Sequence, residues 1–331
     1  MRAPGSAVAR AAQLLAAAPD VTLLAHVDPD ADSLGSALAL GIALHRRGAA
    51  VRVSFATPER MPETLVPLDV LGLVVPPEQV PAAPPVLVAC DAAEPARLGT
   101  LADRLAASGV SVMLDHHVTN PGFGDVQVLD PDAEATVVLA YDVLRAMDAP
   151  LDADVARCLY AGLVTDTSGF RRAGAAAHHM AAELVAAGVD PEPLVRGLMD
   201  THPYAWLAEL GAILQAAVLE PDAAGGLGMV RTCVPLEVTA RFRQEEVYSV
   251  VDLLRTAAEA EVAVLLRQVG GRTWSVSLRS TGRVDVAAAA ALLGGGGHRA
   301  AAGFTRDGSA EEVLAALRGA LPAGPPEALA S

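Results

Sequence analysis

Four stretches of this sequence gather carboxylates and imidazoles at spacings that could hold divalent cations. The first reads His26-Val-Asp28-Pro29-Asp30-Ala31-Asp32-Ser33-Leu34-Gly35-Ser36 and follows the apolar run Val21–Ala25. The second is Asp91, which closes the run Val86–Cys90; the third is Asp115-His116-His117, which closes Val110–Leu114. The fourth is Asp166, in Thr165-Asp166-Thr167-Ser168-Gly169-Phe170-Arg171, at the end of a stretch with helical spacing. Hard divalent ions take oxygen ligands, and imidazole moves the preference toward manganese and other first-row metals. Two such ions about 3.5–4 Å apart can clamp the attacking and leaving oxygens of a phosphoryl displacement. A pair of ions needs a bridging carboxylate with separate ligands on either side, and these segments meet that requirement in number. Each stretch alone has a plainer reading. Asp-Pro-Asp after a strand is ordinarily a turn, with Asp32 or Ser33 capping the next helix. The coincidence of all four at matching positions sets that reading aside.

Such residues need elements to position them. Val21–Ala25, Val51–Ala56, Val86–Cys90 and Val110–Leu114 read as short buried strands. Helical patterns such as Ser33–Arg47, stopped by Gly48, alternate with them. The alternation predicts an α/β fold with a mostly parallel sheet flanked by helices. Sites on such sheets form beyond the carboxyl ends of the strands, where three of the four segments fall. From Glu134 the pattern is helical over Ala135–Met147, Asp152–Val164 and Ala175–Ala187. A smaller α+β unit follows, with a strand at Met229–Val234, a helix at Glu245–Ala258 and a hairpin of Glu261–Val269 with Thr273–Leu278. The expected domains are 1–189 for the metal site, 190–220 for a linker and connecting helix, 221–321 for substrate binding, and a frayed tail at 322–331. A cleft is expected between the two domains.

Composition excludes several classes. The 331 residues carry 24 Lys+Arg against 39 Asp+Glu, a net charge of −15, which disfavours duplex DNA as a partner because non-specific affinity comes from Lys and Arg neutralising phosphates. The run Val286–Leu293 is far short of the roughly 20 apolar residues a membrane span needs. The Ala-rich stretch to Ala18, interrupted by Gln13, lacks a signal-peptide core. Cys90, Cys158 and Cys233 are isolated, which argues against a disulfide framework or a cysteine zinc cage. A cytoplasmic enzyme is the expectation.

The set His26, Asp30, Asp32, Gly35, Ser36, then Asp91, then Asp115-His116-His117, then Asp166, resembles the motifs of the DHH phosphoesterase superfamily. Downstream, Ser277-Leu278-Arg279-Ser280 and Gly294-Gly295-Gly296-Gly297-His298 with Ala301-Ala302-Gly303 resemble its DHH-associated C-terminal domain. The likeness spans roughly residues 20–305 and is strongest to the compact nano-RNase/pAp-phosphatase branch. It implies that His26 and Asp30 hold one metal, that Asp32, His116 and Asp166 hold the other, and that Asp91 bridges them. It further implies catalytic roles for His117, near the scissile phosphate, and Asp115, orienting an imidazole, with a metal-bridging water as nucleophile. Two divalent ions are expected, with manganese ahead of magnesium or cobalt. Two departures stand out: Asp28, where relatives more often carry Asn or a basic residue, and Thr-Ser-Gly-Phe after Asp166, where Thr-Gly-Ser-Phe is commoner. The second leaves the loop geometry open.

At the substrate end, Gly295, Gly296 and Gly297 read as a loop through which backbone amides approach an anion. His298 and Arg279 are candidate phosphate donors beside Ser280. Arg171, five residues past Asp166, is a further candidate clamp. The expected activity is hydrolysis of short single-stranded RNA or DNA oligonucleotides, of two to a few residues, to mononucleotides. 3′-Phosphoadenosine 5′-phosphate and linear or cyclic dinucleotides are further expected substrates. The scarcity of aromatic residues, 3% of the chain, fits poorly with a long stacking platform for single strands. The rivals are a family II-like inorganic pyrophosphatase and a catalytically idle nucleotide-binding regulator. A homodimer, if formed, would use the helices after Asp130.

Overall fold

The computed structural model describes residues 5–322. The apolar runs of the first half become β1 (Asp20–Ala25), β2 (Ala50–Ser54), β3 (Val86–Cys90) and β4 (Val110–Asp115), joined by a fifth strand, β5 (Val126–Leu129), that was not foreseen. They form one sheet in the order β2-β1-β3-β4-β5, and every neighbouring pair is parallel. All five residues of β3 are buried, as expected of a parallel strand covered on both faces. The order also explains where a site must form. The chain leaves β1 toward β2 on one side and later returns to β3 on the other, so the crevice opens beyond the carboxyl ends of β1 and β3.

Seven α-helices among the described residues belong to this first unit: α1 (Ser6–Ala17), α2 (Ala31–Arg46), α3 (Asp103–Ala107), α4 (Thr136–Ala146), α5 (Ala153–Asp166), α6 (Ala175–Ala186) and α7 (Pro191–Met199). One apolar core gathers Leu23, Val88 and Leu114 with Leu34, Leu38, Val137, Val143 and Leu159 of the helices. A smaller one on Leu24, Leu87 and Ala89 is closed by Leu98 and Leu101. Helices α2 and α5 cross closely enough that a Cβ at Gly162 would stand 2.9 Å from the Asp32 Cα and 2.5 Å from Val137 Cγ1. No helix of the described residues is long and apolar enough to cross a membrane.

The chain divides into two compact units between Thr201 and His202. The stretch 190–220, expected as linker and connecting helix, is divided between them. Helix α7 lays Leu194, Val195 and Leu198 on the core of the first unit, its prolines at 191 and 193 tolerated because they fall in the first turn. Helix α8 (Tyr204–Gln215) belongs to the second unit, where Trp206 is fully buried against Phe242. The expected frayed tail lies, past Pro322, outside the described residues.

The second unit is a six-stranded mixed sheet. Its strands are β6 (Val218–Glu220), β7 (Met229–Val234), β8 (Val262–Gln268), β9 (Thr273–Ser280), β10 (Gly296–His298) and β11 (Ala301–Asp307), in the order β10-β11-β9-β8-β7-β6. Helix α12 (Val286–Leu292) and α13 (Ala310–Ala320) pack with one core, while α8 and α11 (Gln244–Leu254) pack with another. Two single turns, α9 (Ala223–Gly226) and α10 (Leu236–Thr239), complete it.

Candidate metal centre

Each predicted ligand of the first unit sits where a strand or helix ends. His26 follows β1, Asp91 follows β3, Asp115 ends β4 with His116 and His117 beyond it, and Asp166 ends α5. Asp30 is the N-cap of α2 and accepts from the amides of Asp32 and Ser33 at 3.1 and 2.9 Å, so a single carboxylate both starts the helix and faces the crevice. Asp32, two residues on, is buried and turned across to α4, accepting from the amides of Thr136 at 2.7 Å and Val137 at 2.8 Å. These amides and the dipole at the helix N-terminus favour the Asp32 charge and partly oppose the burial that disfavours it.

Both imidazoles are fixed by backbone carbonyls. Nδ1 of His26 donates to Val27 O at 2.7 Å, and Nδ1 of His116 to Ala133 O at 3.0 Å. Each ring therefore presents Nε2 to the crevice, the arrangement in which an imidazole ligates a cation. His26 Nε2 lies 3.5 Å from Asp30 Oδ2 and 3.4 Å from Asp91 Oδ2. His116 Nε2 lies 3.7 Å from Asp91 Oδ1, 3.9 Å from Asp32 Oδ2 and 3.4 Å from Asp166 Oδ2. Asp91 thus turns one oxygen to each set. Its φ of 58° takes it out of the strand conformation immediately after Cys90 and swings the side chain between the sets, a strained setting of the kind that clusters at functional sites.

The donor chemistry fits divalent cations. Bonds of about 2.0–2.2 Å meeting at 90–110° separate ligand atoms by about 3.0–3.6 Å, close to the separations found here. His26, Asp30 and Asp91 form one group of converging donor atoms, and Asp32, Asp91 and His116 another. The electrostatics agree. Burial and the carboxylates of Asp91 and Asp30 push Asp166 up to about 6, although His116 opposes this, and burial with Asp91 and Asp166 pushes Asp32 well above the usual range. His26 is raised to about 10: burial works against the charge, but Asp30 and Asp91 outweigh it. The pocket holds more negative charge than its own side chains neutralise, which is what a cation would relieve.

His117 and Asp115 form a relay beside these donors. Nδ1 of His117 donates to Asp115 Oδ1 at 2.8 Å, and the buried Asn120 donates from Nδ2 to Asp115 Oδ2 at 2.6 Å. Burial opposes the imidazolium, but Asp115, Asp91 and Asp166 raise His117 to about 9. Asn120 and Thr136, whose hydroxyl donates to Asp91 Oδ1 at 2.7 Å, are parts that sequence reasoning missed. The only signals were a polar residue in the turn after Asp-His-His and a threonine opening a helix.

Both departures are settled by the backbone. Asp28 is an exposed turn residue with φ 53°, its amide bonded to Thr57 O at 2.8 Å. After α5, Ser168, Gly169 and Phe170 have φ of 54°, 69° and 64°, and the loop closes through Gly169 N to Val164 O at 2.7 Å and Phe170 N to Thr167 Oγ1 at 3.0 Å. Arg171 is exposed beyond this loop, while Arg172 donates to the Asp166 carbonyl at 2.6 Å.

In the second unit, two expectations change. The glycine run is no open loop: Gly296–His298 is an edge strand paired with β11. A Cβ at Gly295 would stand 2.1 Å from Gly303 O, and one at Gly297 2.5 Å from Ala301 O, so close approach of β11 already demands these glycines. Ser280 is buried, its hydroxyl donating to Glu261 Oε1 at 2.8 Å, so it builds the turn after Arg279 and does not offer that hydroxyl to solvent. Arg279 and His298 both lie opposite Ala301 in the register. Directly opposed residues share a face, so both side chains leave one face of the sheet about 10 Å apart, with only a methyl between them.

The chain belongs to the DHH family. The DHH family N-terminal domain matches residues 20–163, and the DHHA1 domain matches residues 232–321. Within the family it falls in the nanoRNase branch: it is 33% identical over 307 residues to the bifunctional oligoribonuclease and PAP phosphatase NrnA of Thermus thermophilus, covering 90% of this chain and 89% of that protein. Solved structures share its fold, two of them as follows. An exopolyphosphatase-related protein of Bacteroides fragilis aligns with a TM-score of 0.83 at 22% identity, over 95% of both chains. RecJ of Thermus thermophilus in complex with Mn2+ aligns at 0.56 and 18% identity, over 97% of this chain and 55% of that one.

Proposed function

We propose that this protein is a divalent-cation-dependent phosphoesterase that hydrolyses oligonucleotides of two to a few residues to mononucleotides. 3′-Phosphoadenosine 5′-phosphate and linear or cyclic dinucleotides are further substrates of the same site. The observation that carries the reading is the division of Asp91: Oδ2 faces His26 and Oδ1 faces His116, at 3.4 and 3.7 Å. His26 and Asp30 would hold one ion, Asp32, His116 and Asp166 the other, with Asp91 between them. The mixed imidazole and carboxylate set favours manganese. The likeness to NrnA over nine-tenths of the chain supports the substrate class.

When bound, divalent cations supply Lewis acidity for the phosphoryl group and lower the pKa of water. The remaining work falls to the protein's own side chains. Asp115 holds the Nδ1 proton of His117, which fixes the ring and leaves the Nε2 proton for a phosphate or leaving-group oxygen. Arg279 and His298 would receive a terminal phosphate from the shared face of their sheet. A site that grips a terminal group favours short substrates. The cytoplasm and a homodimer are further parts of this reading.

The deciding experiment compares rates on RNA dimers to heptamers, 3′-phosphoadenosine 5′-phosphate, cyclic di-AMP and pyrophosphate with manganese present. Fastest turnover on the shortest oligomers is expected. Pyrophosphate outpacing every nucleotide, or tight dinucleotide binding without turnover, would overturn the reading. In Asp91→Ala, turnover should vanish while the circular dichroism spectrum is retained.

A further inference from the structure

We propose that Thr136 is a positioning residue that fixes how the Asp91 carboxylate is shared between its two donor sets, an inference that rests on the divalent-cation reading above. Thr136 is fully buried at the start of α4. Its amide holds Asp32 Oδ2 at 2.7 Å, and its hydroxyl donates to Asp91 Oδ1 at 2.7 Å. One residue therefore grips two carboxylates that reach it from different elements of the sheet and helix layers.

The two grips differ in kind. Asp32 is held by backbone amides at 136 and 137, so its position survives any side chain at 136. The grip on Asp91 is the hydroxyl alone. Asp91 has left the strand conformation, so the pleat of β3 does not set the plane of its carboxylate. Rotation about the Cβ–Cγ bond would exchange Oδ1 and Oδ2 or turn both away from the imidazoles. A hydrogen bond to Oδ1 opposes that rotation, and it leaves Oδ1 a lone pair toward His116 and Oδ2 free toward His26. A threonine hydroxyl suits the task because it is neutral: a cation there would compete for the same field, and a further carboxylate would add to it. Full burial and β-branching restrict the freedom of the Thr136 side chain.

The test uses the full chain and reads cation binding directly, by electron paramagnetic resonance of free Mn2+ during titration. Thr136→Val removes the hydroxyl while keeping shape and amide; Thr136→Ala removes it without adding bulk; Thr136→Ser keeps it. Loss of an outer hydrogen bond to a ligand typically weakens metal affinity by about 10- to 100-fold, so both hydroxyl-free variants should lose that much while Thr136→Ser stays within about threefold of wild type. Melting in chelator reports packing separately, and the affinity loss is expected to exceed any difference between the two hydroxyl-free variants. Wild-type affinity in Thr136→Val or Thr136→Ala, or an equal loss in Thr136→Ser, overturns the positioning role. Wild-type protein that binds no Mn2+ instead overturns the cation reading beneath it.

Discussion

At the scale of residues, the site is built from side chains that serve structure and chemistry together. Asp30 caps a helix, Asp32 receives the first amides of another, and Asn120 clamps Asp115 behind His117. Removing the clamp leaves a buried carboxylate oxygen without its donor, which costs about 1–3 kcal/mol. Asn120→Ala should therefore melt measurably lower in calorimetry and turn over more slowly even with saturating metal. Ser168 offers the opposite case. A side chain at φ 54° bears strain that glycine does not, so Ser168→Gly should stabilise the protein by about 0.5–1 kcal/mol in urea unfolding. A lower midpoint would show that the Ser168 side chain holds the loop. The candidate ligand acids drew attention in the sequence because Asp91 and Asp115 close apolar strand runs while Asp30, Asp32 and Asp166 stand at helix ends. Thr136 and Asn120 were not, because a neutral hydrogen-bond donor in a turn or a first helical turn looks like ordinary capping.

At the scale of elements, continuous apolar runs such as Val86–Cys90 announced β3 because both of its faces are covered. Strand β5 escaped notice: it has four residues, and only Val126 and Val128 are buried. Helix α7 was hidden by its prolines, and β10 by its glycines, since both residue types signal a break unless the neighbouring backbone is known. The crossing of α2 and α5 carries the most specific expectation. Gly162→Ala would drive a methyl into Val137 and the backbone of Asp32. Overpacking of this kind costs about 1–3 kcal/mol, and here it should also displace Asp32 from the candidate metal centre. Both a lower melting temperature and weaker Mn2+ binding are expected; normal values of each would show that the helices can slide apart.

At the scale of the whole molecule, two units with separate cores can be followed separately in the intact chain. The sequence contains 2 tryptophans, Trp206 and Trp274, and both lie in the second unit, so intrinsic fluorescence reports that unit. There Glu220 takes a two-pronged contact from Arg318 at 2.9 Å and a further one from Arg231, and these hydrogen bonds lower its pKa from 4.5 to about 2. A depressed carboxylate stabilises the fold fully above its unfolded value and progressively less as pH falls toward its folded value. Glu220→Gln should therefore cost about 1–2 kcal/mol at pH 7, read by tryptophan fluorescence in urea, and almost nothing at pH 2. A cost unchanged across that window would place the loss in packing. On the proposed cation reading, metal would act on the other unit. Mn2+ at a hundred times its dissociation constant should add about 2.7 kcal/mol to the first unit, seen by circular dichroism and reversed by chelator.

The sheet of the second unit ends on both sides in strands of three residues, β6 and β10. Each covers only three residues of its longer neighbour, Met229–Arg231 of β7 and Ala301–Gly303 of β11, so each border is stepped, with an outer rung of about 10 Å at ordinary strand rise. An intruding chain would meet a step after three residues instead of one long straight edge, and the glycines of β10 deprive it of side chains to zip against. Although it lacks barrel closure, this sheet offers fibril growth a broken edge, because its outermost strands are short and stepped.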